Sequence, residues 1–259
     1  MRNIKSNAGS FSTAKLQAKM RSILAILALT LVWGITSCAS NGAATSGSSP
    51  VQETIVCLGD SLTSGYNATT LGKDDKKKAW PAVLQNKVNI PVINAGVGGN
   101  NTAQGLARVK RDVLSKNPRI VIIELGGNDW LQTIPMDTIK DNLQKIIDMV
   151  NDGNRKIYLV TFTFPKMNEP YNLTAWDGKK RYTATFTPEM YEQYKNMYIA
   201  LASSNNIEFI EDIGDGVFVA KEYISADNMH PNAKGYEIMA DNIFKALKPY
   251  LEANNLLKE

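Results

Sequence analysis

Five short runs of apolar and β-branched residues punctuate the chain: TIVCL at 54–58, PVIN at 91–94, RIVIIEL at 119–125, KIYLVTF at 156–162 and IEFIED at 207–212. They are continuous rather than alternating, as strands covered on both faces require. Between them, patterns of helical period predict helices near 79–88, 102–116, 137–151 and 188–204, with a last one near 232–250. In the third, Ile139, Leu143, Ile146, Ile147 and Val150 fall at i, i+4, i+7, i+8 and i+11, which is one apolar face. This alternation predicts an α/β domain with a five-stranded parallel sheet and right-handed crossovers. No internal repeat or second domain is visible. Ligands bind such sheets beyond the carboxyl ends of the strands, so the loops after the strands are where chemistry belongs.

Composition changes the picture mainly at the N-terminus. The 259 residues are 44% hydrophobic and 21% charged, ordinary for a globular chain, and carry a formal charge of +4. Of the 29 Lys and Arg, five (Arg2, Lys5, Lys15, Lys19, Arg21) lie in residues 1–37, where there is no acid; the remainder holds 24 basic against 25 acidic side chains. The basicity belongs to a leader, and no nucleic-acid partner is implied by it. Lys19 and Arg21 precede an 11-residue apolar run, Ile23 to Trp33. That run is too short to span the roughly 30 Å hydrocarbon core of a bilayer as a helix and suits a signal peptide. It ends in ITSCAS, where small residues before Cys38 resemble a bacterial lipobox. Lipidation of Cys38 is therefore the expectation, with ordinary cleavage or an uncleaved anchor as alternatives. Met20 is a second candidate start. With Cys38 lipidated only Cys57 remains, and no intrachain disulfide can form. The expected organisation is a signal peptide at 1–37, a small-residue tether at 38–52 and one catalytic domain at 53–259.

Each strand-end loop carries a candidate. GDSLTSGY (59–66) presents Ser61 just beyond strand one, as a helix cap or as a nucleophile. NAGVGGNNT (94–102) has glycines that let backbone amides face a ligand. GGND (126–129) offers the amide of Asn128, with Asp129 placed to cap the next helix. DNMHP (227–231) holds Asp227 and His230, the only histidine of the chain. Acyl transfer needs a hydroxyl, an imidazole to take its proton, a carboxylate to orient the imidazole and donors for the oxyanion. Each part appears once. The serine does not sit in a G-x-S-x-G elbow, since position 63 is threonine, so the usual α/β-hydrolase design does not apply. A tight Asp-x-x-His turn can bring a carboxylate to Nδ1 and leave Nε2 free for Ser61.

These four blocks resemble the signature blocks of the SGNH hydrolases, also called GDSL esterases. AWPAVLQNK (79–87), QGLARV (104–109) and VIIELGGND (121–129) resemble the bacterial branch of acyl-thioesterases, arylesterases and lysophospholipases. The resemblance runs from about 54 to 250 and thins between 164 and 206. It implies a flavodoxin-like three-layer α/β/α sandwich, with Ser61 as nucleophile, His230 as general base then acid, and Asp227 as orienter. It implies an oxyanion hole of the Ser61 and Gly99 amides and the Asn128 side chain, and neither metal nor cofactor. The second block, GVGGNNT, departs from the branch pattern and leaves Gly98 or Gly99 as the donor.

Two insertions stand out. In 164–190, Tyr171, Trp176, Tyr182 and Phe186 suit a lid over an apolar chain or a platform for a sugar, or pack the loop onto the core. GKDDKKK at 72–78 reads as a solvated charge run, with attraction of an anionic head group by its lysines as the alternative. The expectation is a serine esterase of the bacterial envelope, exported and lipid-anchored, facing the periplasm or the surface. Its substrate would be a small acyl ester or, in the alternative, an O-acetylated glycan. A lipoprotein that only binds ligands is the reading from another class.

Overall fold

The computed structural model describes residues 51–161, 171–176 and 181–259, with the backbone alone at 171–176, 181–184 and 186. The leader, Cys38 and all but the end of the expected tether lie outside the described residues. In chain order the elements are β1 (Gln52–Gly59), α1 (Ser61–Ser64), α2 (Trp80–Gln85), β2 (Val92–Gly96), α3 (Thr102–Asp112), β3 (Pro118–Glu124), α4 (Gly127–Leu131) and α5 (Met136–Val150). They continue with β4 (Lys156–Val160), β5 (Tyr171–Trp176), β6 (Arg181–Phe186), α6 (Pro188–Ser204), β7 (Glu208–Ile210) and α7 (Ala233–Ala253).

Five of the strands form a parallel sheet in the order β2-β1-β3-β4-β7. The five-stranded α/β architecture is the one the alternation predicts. Successive side chains of a strand point to opposite faces, so each apolar run supplies two cores. Ile55, Cys57, Ile120 and Ile122 pack with Trp80 and Leu84 of α2 and with Tyr236, Met239, Ile243 and Leu247 of α7. Val56, Leu58, Val121 and Ile123 turn the other way, onto Val109 of α3, α5 and Tyr198 of α6. All five residues of the predicted α5 stripe, Ile139 to Val150, are fully buried.

The departures are local. The helix predicted to residue 116 stops at Asp112 and gives way to a 3-10 turn, Leu114–Lys116. Pro118 disfavours helical backbone at Asn117, which adopts φ +43°. β7 is shorter than its apolar run because it is an edge strand paired only to β4, from Tyr158↔Glu208 to Val160↔Ile210. The 164–190 insertion contains an antiparallel hairpin, β5–β6, in register from Tyr171↔Phe186 to Trp176↔Arg181. The apolar pattern predicts no strands there. The side chains of Tyr171, Trp176, Tyr182 and Phe186 lie outside the described residues.

The sheet grows outward in both directions from β1 and β3, so the gap beyond their carboxyl ends is the switch point of the topology, where such folds hold their ligands. There β2 passes under α1 at close range. A Cβ on Gly96 would lie 2.3 Å from the Ser64 amide nitrogen and 2.6 Å from the Thr63 carbonyl carbon. Asn94 closes the contact, donating from Nδ2 to the Thr63 carbonyl at 2.7 Å. Because the clash is with backbone, no rotamer relieves it. Gly96→Ala is expected to destabilise the fold by about 1–3 kcal/mol, seen as a lower midpoint in guanidinium unfolding. An unchanged midpoint would mean that α1 moves aside freely.

Candidate active site

Ser61 is the first residue of α1, and the cap of that helix is its neighbour. Asp60 Oδ1 accepts the Leu62 amide at 2.9 Å, which satisfies an otherwise orphan N–H of the first turn. Gly65, at φ +81°, ends the helix after a single turn. Ser61 is thus held on a short, capped turn with its hydroxyl free to face the switch point.

The His230 loop is built by Asp227. Asp227 Oδ1 accepts the amides of Met229 and His230, each at 3.0 Å, and the Ser225 hydroxyl at 2.5 Å. Asn228 turns the corner at φ +58°, a conformation asparagine tolerates better than most residues. Asp227 Oδ2 then meets His230 Nδ1 at 2.6 Å, and His230 Nε2 lies 2.9 Å from Ser61 Oγ. The Tyr66 ring packs edge-on against the imidazole, with centroids 4.9 Å apart. Burial pushes the Asp227 carboxyl up, but the hydrogen bond and charge of His230, the backbone amide and the Ser225 hydroxyl outweigh it and hold it well below the usual carboxylate range. An anionic Asp227 selects the tautomer with hydrogen on Nδ1 and leaves Nε2 as an acceptor facing Ser61.

Across the gap are the candidate oxyanion donors. Val97 donates its amide to the Gly59 carbonyl at 3.1 Å and Asn100 to the Val97 carbonyl at 3.2 Å. Among the described residues this leaves the intervening Gly98 and Gly99 amides uncommitted, and both residues line the same cavity as Ser61. Asn128 Nδ2 donates to Asp60 Oδ2 at 2.9 Å and to the Asn100 carbonyl at 3.1 Å. Its amide hydrogens are therefore already placed rather than freely offered. Asp129 lies inside α4 and does not cap that helix. It accepts the amide and hydroxyl of Thr102, at 2.8 and 2.5 Å, and so ties α4 to the start of α3.

The sequence reading missed a buried acid pair beneath this arrangement. Asp60 and Glu124 are 2% and 3% exposed and share a side-chain hydrogen bond. Glu124 Oε2 also accepts the Thr63 hydroxyl at 2.7 Å. Two adjacent carboxyls in one dry site cannot both ionise at neutral pH. Asp60 accepts two N–H donors and is the natural anion, so the proton sits on Glu124. Burial pushes Asp60 up to about 6 against the Leu62 amide, His230 and Asn128; burial and then the charge of Asp60 push Glu124 well above the ordinary glutamate range. Arg108 braces the same corner, donating to the carbonyls of Gly59 at 2.7 Å and Ala95 at 2.5 Å and to Asn100 Oδ1 at 2.8 Å.

The cavity these residues open into has a volume of about 390 Å³, and its wall includes Val97, Trp130, Leu131, Tyr191, Tyr194 and Met229. Tyr66 adds to it from the loop after α1, and Trp130, Tyr191 and Tyr194 come from α4 and α6, elements whose aromatics the sequence reading did not single out. Tyr191 and Tyr194 stand three apart on α6, the one spacing that would have marked them. Among the described residues no group of three or more His, Cys, Asp or Glu is placed to hold a metal ion.

A model of the GDSL-like lipase/acylhydrolase family matches residues 57–238. An arylesterase of Vibrio mimicus is 26% identical over 211 residues, covering 80% of this chain and 94% of that protein. The thioesterase 1/protease 1/lysophospholipase L1 of Escherichia coli K12 is 27% identical over 199 residues, covering 76% of this chain and 84% of its own length. Among solved structures, the crystal structure of TesA superposes with a TM-score of 0.62 at 25% identity, covering 76% of this chain and 99% of that one.

The acid pair has a measurable signature. A carboxyl whose folded pKa lies above its unfolded value contributes its full stability below the unfolded pKa and loses it as pH rises toward the folded one. Glutamine at position 124 keeps the donor to Asp60 and the acceptor for Thr63 but has no proton to lose. The stability of Glu124→Gln relative to wild type is expected to rise by on the order of 1 kcal/mol or more between pH 5 and pH 8. Urea unfolding at the two pH values measures it, and an equal difference at both would mean Glu124 is not held protonated.

Proposed function

The chain belongs to the GDSL-like lipase/acylhydrolase family and is an ester-hydrolysing enzyme of the arylesterase/thioesterase type; from that premise we propose that it works through Ser61, His230 and Asp227 and an acyl-enzyme. The observation that carries the reading is the continuous chain from Asp227 Oδ2 through the imidazole to Ser61 Oγ, with contacts of 2.6 and 2.9 Å.

In this mechanism His230 Nε2 takes the Ser61 proton as Oγ attacks the carbonyl carbon. The developing oxyanion is met by the Ser61 and Gly99 amides and by Asn128. One Asn128 hydrogen stays on Asp60 and holds the amide in place; the other, on the Asn100 carbonyl in the free protein, is exchanged to the oxyanion. The imidazolium then gives its proton to the leaving oxygen or sulfur, and a water activated by the same nitrogen releases the acid. Asp227 stays ionised throughout and stabilises the imidazolium.

On the substrate side, a 390 Å³ cavity with an apolar and aromatic wall lies near the lower end of small-ligand pockets and favours short to medium acyl chains over long ones. The leader supports export, with Cys38 as the lipidated residue of a membrane-anchored protein. Outside the cytoplasm an oxygen ester is the available substrate, and thioester cleavage is a by-product of the same chemistry.

The test uses the chain from residue 52, without the anchor, on the p-nitrophenyl esters of acetate, butyrate, octanoate and palmitate. Turnover is expected to be best from acetate to octanoate and weak on palmitate. Ser61→Ala is expected to lose at least about 10⁴-fold in kcat. Equal rates for the two proteins would remove Ser61 as nucleophile. Separately, Cys38→Ala in the full chain is expected to abolish incorporation of radiolabelled palmitate; undiminished labelling would remove the anchor assignment.

A further inference from the structure

The inserted segment after the nucleophile turn is rooted in the site. Its lysines are exposed, as expected of a charge run, but its base is fixed by Ser64 Oγ donating to Asp74 Oδ1 at 2.5 Å and by the Asp75 amide donating to the Gly65 carbonyl at 3.0 Å. Asn67, which lies between the Ser61 turn and that segment, is 4% exposed. Its backbone sits at φ +61°, in the left-handed region, and its amide donates to the Lys73 carbonyl at 2.8 Å. Asn67 Oδ1 accepts the Gly72 amide at 2.5 Å, which leaves Nδ2 as the side-chain donor, and Nδ2 lies 2.6 Å from Asp227 Oδ2. The amide orientation is thereby settled by its partners.

Asp227 Oδ2 is the oxygen that faces His230 Nδ1. It therefore has two donors, one from its own loop and one from a segment 160 residues earlier. We infer that Asn67 is a positioning residue for Asp227, resting on the triad reading above: it fixes the carboxylate from the side opposite its own loop and so sets the angle and basicity of the imidazole. The backbone conformation at Asn67 is unfavourable for most residues and is compatible with this asparagine because both ends of its side chain are bonded. Such outer hydrogen bonds to an orienting carboxylate tune the group it orients.

The sign of the effect is set by the contact. Removing an N–H donor from Asp227 makes the carboxylate a better partner for imidazolium. The acid limb of kcat/KM then moves to higher pH and kcat falls. The ionisable groups around the pair are Asp60, which acts on His230 by its charge, Tyr66 against the imidazole, and Tyr236 on α7, whose own surroundings include Asp60, Asp74, Glu124 and Asp227. None of them is altered by a change at position 67.

The experiment compares wild type, Asn67→Gly, Asn67→Asp and Thr69→Ala on p-nitrophenyl butyrate from pH 5 to 9, with thermal unfolding of each. Glycine accepts φ +61° without strain and deletes only the side chain; aspartate is isosteric and sets a second carboxylate against Asp227. Thr69, exposed in the same loop and bonded to Asp75, controls for general loop disturbance. Asn67→Gly is expected to lower kcat on the order of tenfold or more with KM little changed, and to shift the acid limb upward. Asn67→Asp is expected to shift it further, and Thr69→Ala to behave as wild type. Wild-type kinetics in the Asn67 variants, a fall in kcat with no shift of the limb, or failure of both variants to fold would each overturn the inference. Ser61→Ala run alongside separates the two levels. If it hydrolyses like wild type, the triad reading falls and takes this role with it; if it is inactive and the Asn67 variants are normal, only the Asn67 role falls.

Discussion

Asp60 accepts the Leu62 amide with one oxygen and the Asn128 amide with the other, so one buried carboxylate joins the start of α1 to the start of α4. The two elements come from β1 and β3, neighbours in the sheet but about 60 residues apart in the chain, and the candidate nucleophile sits on one and a candidate oxyanion donor on the other. A carboxylate out of water is costly unless it is fully bonded. Here the cost is offset by the two N–H donors and by Glu124, which keeps its proton. The acid pair in turn requires the glycine next to it. A Cβ on Gly59 would lie 2.7 Å from Glu124 Oε2 and nearer still to the Thr63 hydroxyl. The Gly-Asp-Ser triplet is thus one mechanical unit, in which glycine admits the acid pair, aspartate fixes the turn and serine is presented by it.

Most of the sheet was legible because burial on both faces writes itself as an unbroken apolar run. Ile55 to Leu58 and Ile120 to Ile123 are buried and feed both cores. Helix α5 was legible for the converse reason, since only one face is buried and the period shows. What escaped were features whose causes are contacts between distant segments. The β5–β6 hairpin did leave a trace, with β-prone YNLTAW and RYTATF flanking an Asp-Gly pair. Its aromatics suit a lid, a sugar platform or packing onto the core alike, and none of these roles distinguishes a hairpin from a loop.

In the site, the residues that carry local motifs were found and those that act through space were not. Asp227 and His230 are three apart, and their turn is written in four consecutive residues. Glu124 was not singled out, yet an acid within RIVIIEL, where nearly every neighbour is buried, is a signal in itself: it has to be neutral or paired. Asn67 gave no such sign. Its left-handed backbone and its reach to Asp227 exist only once the 67–78 segment has folded back on α1.

In the proposed mechanism the DNMH turn lets a chain of this length work with one histidine. An imidazole useful as a base must be held in one tautomer, in one orientation, and shielded from bulk water without being cut off from substrate. Asp227 supplies the first two from within four residues, because Oδ1 is consumed by the amides that shape the turn and only Oδ2 is left for Nδ1. The carboxylate cannot swing away without unravelling the backbone that carries the histidine. Tyr66 covers one side of the ring, and His230 is 6% exposed, its Nε2 edge turned to Ser61. Orientation is therefore built into a loop that the β-bridge between Ile224 and Pro231 closes on itself and that needs only to be docked, and docking is done by the first turn of α7, where Tyr236 donates to the Ser61 and Tyr66 carbonyls and Ala233 to the Ala68 carbonyl. That last contact lands one residue from Asn67. The nucleophile turn and the histidine loop are thus clamped at adjacent residues, and the 2.9 Å gap between Ser61 Oγ and Nε2 results from two rigid pieces meeting at a fixed seam, not from either side chain searching for the other.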